Sequence, residues 1–141
     1  MNLKETRWRQ RYDNFEKAYA LLEKYAAVES EDELERAGVI QFFEMAFELA
    51  WKLMKDYLEA QGYQIKSPKE AIKQALQSSL VEDGQIWLDA LEDRNLSVHT
   101  YDESTALEIE KRIRETYFPA LRRLYQSMKE KSRDEIRPEQ T

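Results

Sequence analysis

The stretch "QFFEMAFELAWKLMKDYLEAQG", residues 41–62, settles the fold class. Phe43, Phe47, Ala50, Met54 and Leu58 follow one another at spacings of three and four, the rhythm of one face of an α-helix, and Gly62 is placed to end it. Phe42, Met45, Leu49, Trp51 and Leu53 lie off that stripe, so the helix is apolar around most of its circumference and needs more than one neighbour. It is expected at the centre of a bundle or in a seam between two copies of the chain. Upstream the stripe continues through Ile40 and Leu34, and Ser30 with Glu33 reads as the capping box that starts it.

The flanking sequence supplies the neighbours. Trp8, Tyr12, Phe15, Tyr19, Leu22 and Ala26 define one stripe of a first helix from about Lys4 to Ala27. After Gly62, Ser67 as N-cap, Pro68 at the first helical position and Glu70 predict a short third helix ending near Ser79. A fourth begins near Asp83 with Ile86, Trp87, Ala90 and Leu91 on it. Asp102 can cap a final helix along Ala106, Ile109, Ile113 and Tyr117. Pro119 predicts a kink or restart around Tyr117 and Phe118, before Leu121, Leu124 and Met128 resume the stripe. Residues 132–141 are polar and read as a flexible tail, leaving 1–131 as a single domain. The expected fold is all-α: an antiparallel bundle of about five helices, with an up-and-down four-helix core and a kinked last helix.

Composition narrows the function. The chain has 141 residues and no cysteine, which removes disulfides, thiolate nucleophiles and cysteine-based zinc sites together. The charged start and the frequent Glu or Lys within apolar stretches predict neither a secretory leader nor a membrane span, and a cytoplasmic location is expected. A net charge of -6 argues against broad, sequence-independent binding to duplex nucleic acid, while leaving room for a local basic site.

One segment has the residue types for chemistry: "DRNLSVHTYDE", residues 93–103, with the only histidine of the chain, His99. On one regular helix Arg94 and His99 would point about 140° apart. Asn95, Ser97, Val98 and Thr100 are mediocre helix formers, however, and Asp102 starts a new helix, so the fourth helix is expected to end inside the segment. Arg94 would then project from its last turns and His99 from the connection. A guanidinium beside a helix N-terminus favours an anion such as phosphate. RNA is cut without a metal if one group deprotonates the 2'-hydroxyl, another protonates the leaving oxygen and a cation stabilises the charge on phosphorus. One chain has one imidazole, so a two-fold dimer would supply the second. The residues alone equally allow a structural reading, in which Arg94, His99 and Tyr101 cap and pack a helix junction.

The run from Arg94 to Tyr101 resembles the Arg-x4-His-x-Tyr motif of the HEPN superfamily, with Asn95 as the polar residue that often follows the arginine. The wider segment is similar to the branch comprising nucleotidyltransferase substrate-binding proteins and HepT toxins, and no motif residue departs from that pattern. The resemblance implies a homodimeric HEPN-type bundle encoded beside a minimal nucleotidyltransferase antitoxin, MntA. It further implies a metal-independent endoribonuclease with no cofactor, in which Arg94 binds phosphate, His99 transfers protons and Asn95 is accessory. Tyr101 would be the AMP acceptor through which the partner silences the toxin. The alternative it leaves open is a non-catalytic substrate-binding subunit of the nucleotidyltransferase.

Other features have plainer readings. Asp89 and Asp93 share a helical face and with His99 suggest a metal site, which Arg94 would oppose. The acidic run at residues 29–35 fits a solvated helix start. Arginines and lysines gather near both chain ends, Arg9, Arg11, Arg112, Arg114, Arg122 and Arg123 among them, and would form a basic groove if the first and last helices pack together. Trp51 and Trp87 read as core or interface residues.

Overall fold

Helix α1 (Leu3–Ala26) opens on Asn2, whose side chain accepts the Glu5 amide, and it buries the expected stripe from Trp8 through Ala26. The computed structural model describes residues 2–97 and 102–134, without the side chains of Leu96, Ser97 and Asp134. Helix α2 (Glu33–Ala60) runs back along α1: Tyr25 packs on Phe42 at one end, and Trp8 packs edge-on against Tyr57 at the other. Helix α3 (Pro68–Gln77) starts as expected, with Ser67 accepting the Glu70 amide and Pro68 in the first turn. Helix α4 (Gly84–Ser97) and α5 (Glu103–Arg112) follow, and α5 continues through a π-helical turn (Ile113–Tyr117) into α6 (Phe118–Asp134).

Contacts between helices fix an up-and-down order. Asp83, just before α4, pairs with Arg123, and Asp93 near its end pairs with Arg112, so α4 is antiparallel to the last helix. That helix is antiparallel to α1, since Tyr19 stacks on Phe118 and Tyr12 on Tyr125. Helix α2 touches every other helix, which answers its nearly continuous apolar surface. Phe43, Phe47, Leu53, Met54 and Leu58 are all 1% exposed or less, each burial stabilising by about 1.5–3 kcal/mol.

Three local expectations are corrected. Ser30 does not cap α2; Asp32 does, accepting the Glu35 amide at 2.8 Å, while Ser30 turns to Glu110 of α5. Both Ser30 and Asp32 are good caps, and the acid two residues later lets Glu35 accept the Glu31 amide as well. Leu34, assigned to the stripe, is 82% exposed because it sits in the first turn, before α2 reaches its neighbours. Pro119 does not restart the helix. The Phe118 amide reaches Ile113, five residues back, so the ladder of hydrogen bonds widens just before the residue that has no N–H to offer. No helix among the described residues is long and apolar enough to cross a membrane.

Candidate functional site at the junction of α4 and α5

The helix break falls within the motif segment. Helix α4 is described to Ser97, and Asp102 adopts an extended backbone (φ -72, ψ 125) as N-cap of α5. Its carboxylate accepts from the hydroxyls of Ser104 (2.7 Å) and Thr105 (3.1 Å), and these bonds hold its pKa below the usual carboxylate value. Arg94 thus stands in the last turn of α4, separated from α5 by a non-helical residue. His99 and Tyr101 lie outside the described residues.

Two sets of side chains position the ends of the two helices. Asp93, only 5% exposed, accepts from Arg112 through both carboxylate oxygens at 2.9 Å and from the Tyr117 hydroxyl. Burial, and then the Asp93 carboxylate, push the Tyr117 hydroxyl above the ordinary tyrosine range. This network ties the turn that carries Arg94 to the last helix. On the other side, Arg36 of α2 pairs with Glu103 and lies 3.4 Å from Glu110, which also holds Arg114 at 2.9 Å. That set ties the first turns of α5 to α2.

Arg94 itself faces α2. Its terminal nitrogens donate to Glu48 at 2.9 Å and to its neighbour Asn95 at 3.4 Å. Glu48 also accepts from the Trp51 indole at 3.2 Å and lies 3.4 Å from the Lys52 ammonium. Beside this cluster, a groove of about 490 Å³ runs between α2 and α5, floored by Ala37, Ile40, Ala106 and Ile109.

Among known proteins, residues 10–130 match the family described as nucleotidyltransferase substrate binding protein like. The chain belongs to this family. It is 32% identical over 78 residues to a Haemophilus influenzae protein described as probable ribonuclease HepT. That match covers 52% of this chain and 53% of the relative, so it spans about half of the relative's length. A crystal structure from Thermus thermophilus superposes with a TM-score of 0.72 at 36% identity, over 84% of this chain and 98% of that one. A Haemophilus influenzae structure, described as revealing the fold of a substrate binding domain of a nucleotidyltransferase, gives the same TM-score and coverages at 23% identity and bears on the fold alone.

For this substrate-binding-protein family member, the structure shows where two further groups of charged residues turn. Asp93 does not pair with Asp89 toward a cation; it turns inward to Arg112 and Tyr117, and no group of three or more potential metal ligands occurs among the described residues. Where the terminal helices pack, several of the arginines that could line a basic groove are engaged. Arg9 donates to the Ser132 carbonyl, Arg11 pairs with Asp56, Arg122 lies near Glu23 and Arg123 pairs with Asp83. Glu48 and the network around Asp93 were missed by sequence reasoning. Asp93 offered one signal, an acid directly before the motif arginine. Glu48 offered none, because its partner arrives from another helix.

Proposed function

We propose that this chain is a HepT-like, metal-independent endoribonuclease toxin, active as a cytoplasmic homodimer and paired with a minimal nucleotidyltransferase antitoxin. The observation that carries the reading is that Arg94 stands in the last described turn of α4 while α5 starts afresh from its cap at Asp102, directly after a complete Arg-x4-His-x-Tyr motif. With Asp102 extended, Arg94 and α5 do not share one continuous helix.

In this reading Arg94 holds the phosphodiester and stabilises charge as the phosphorane forms. Imidazole of His99 takes the proton of the 2'-hydroxyl, the oxygen attacks phosphorus, and the 5'-oxygen leaves with a proton from His99 of the second copy. The products are a 2',3'-cyclic phosphate and a 5'-hydroxyl. Asn95, bonded to Arg94, serves as the accessory polar group that orients the guanidinium. Tyr101 is the AMP acceptor; an added phosphate two residues from His99 would repel the substrate phosphate. Residues 1–131 are the catalytic domain; of the tail expected at 132–141, residues 132–134 continue α6, and Arg9 donates to the Ser132 carbonyl.

A second reading, a non-catalytic subunit that serves the nucleotidyltransferase, is favoured by the pairing of Arg94 with Glu48 and by the net charge of -6. Cleavage of a labelled RNA in excess chelator separates the two. The toxin reading expects cyclic-phosphate ends from the wild type and none from His99→Ala. Folded dimers that leave the RNA intact in both forms select the binding module.

A further inference from the structure

Glu48, Lys52 and Arg94 form a cluster in which one carboxylate serves two cations through different oxygens. Glu48 Oε2 accepts from Arg94 at 2.9 Å, and Glu48 Oε1 lies 3.4 Å from the Lys52 ammonium. The two cations come from different helices, α4 and α2, and are partly open to solvent, 31% exposed for Arg94 and 38% for Lys52. A pair of acceptor oxygens on a single central atom, shared by a guanidinium and an ammonium, is also the arrangement of a phosphate bound between an arginine and a lysine.

We propose that Lys52 is a second phosphate-binding group of the Arg94 site, and that Glu48 occupies the place a phosphodiester of a single RNA strand takes when it binds. The inference rests on the reading of Arg94 as a phosphate ligand. Glu48 is partly open to solvent, 31% exposed, and a phosphate in its place leaves both cations, and the Trp51 indole that also donates to it, with an anionic acceptor after the exchange. The carboxylate bridges the two cations in the free protein and makes entry competitive. This also accounts for a nucleic-acid site within an acidic chain: the cations are few, local and held ready by one removable acid.

The test uses a fluorescent 2'-O-methyl RNA oligonucleotide, which has the phosphates but no 2'-hydroxyl to react, and the full chain with helicity and melting checked for every variant. Arg94→Ala is expected to weaken binding at least tenfold. Lys52→Ala should weaken it about fivefold and flatten the dependence on salt by roughly one contact, with Lys52→Arg restoring affinity. Glu48→Gln should tighten binding about fivefold, a gain that loss of a merely structural ion pair would not give. If Arg94→Ala weakens binding while the Lys52 and Glu48 variants stay within twofold of wild type, those two residues are an ordinary helical ion pair and the inference fails alone. If Arg94→Ala changes nothing, or the wild type does not bind, the phosphate role of Arg94 fails and takes the inference with it.

Discussion

The seam between α1 and α6 and the junction of α4 with α5 are built from different forces. In the seam, Tyr19 stacks between Tyr125, 4.5 Å away, and Phe118, 5.6 Å away, above a buried Phe15. Rings of this kind stabilise through area and dispersion, which salt does not screen. At the junction the links are carboxylates shared among arginines and a tyrosine hydroxyl: Asp93 with Arg112 and Tyr117, Glu110 and Glu103 with Arg36, Glu48 with Arg94. Such links fix direction well and contribute little net stability when exposed. The motif sits on the half of the molecule that is specified by geometry rather than by mass of buried surface, so that half should be the easier one to disturb without unfolding the rest.

Four perturbations probe this contrast, in falling order of effect. Phe15→Ala, in the seam, should cost about 4 kcal/mol in urea denaturation, equally at low and high salt. A strong salt dependence would mean that the seam leans on its flanking charges. Asp93→Ala should cost about 2 kcal/mol, since it leaves the buried Tyr117 hydroxyl without its acceptor. Hydrogen exchange should then speed up in α4 and α5 while α1 stays protected; uniform loss of protection would show that the two regions are one cooperative unit.

The third perturbation is alkaline pH. Tyr117 and Tyr12 both have hydroxyls pushed above the ordinary value near 10, mainly by burial. Their contribution to stability is therefore complete below pH 10 and declines as pH rises toward the folded-state values, because the unfolded chain loses these protons first. Tyr117→Phe should flatten that decline in a pH series of melting temperatures, and an unchanged slope would assign it to other groups. The smallest effect is that of Glu48→Gln on stability, no more than about 1 kcal/mol by thermal melting, as expected of a partly exposed pair. A larger loss would place Glu48 among the supports of the fold.

The same contrast explains what the sequence discloses. Stripes such as Trp8 to Ala26 and Phe43 to Leu58 are readable because burial imposes a period on neighbouring residues, and caps such as Ser67 are readable because their partners lie within one turn. Ser30 misled because two adequate caps stand two residues apart, and only contact with Glu110 shows which one is free to leave. The choice of partner by Arg94, Arg112 and Arg123 depends on which helices lie side by side, and a string of charges holds no record of that. At the motif, the residue types and the cap at Asp102 were legible, whereas Glu48, contributed by α2 some 46 positions away, was not.

The π-helical turn has a consequence for phase. Arg112 and Tyr117 are five residues apart and on a regular helix would point about 140° away from each other, yet both reach Asp93. The wide turn between them brings residue five back over residue one. It works as a coupling between two gears: the part before it is keyed to α4 and the motif, the part after it to the rings of α1. Removing one residue from Ile113–Tyr117 would leave four residues for the same turn, which a regular helix accommodates, so both keyings would survive; tightening the turn with all five residues kept would turn Tyr117 about 140° away from Arg112 and make one keying slip.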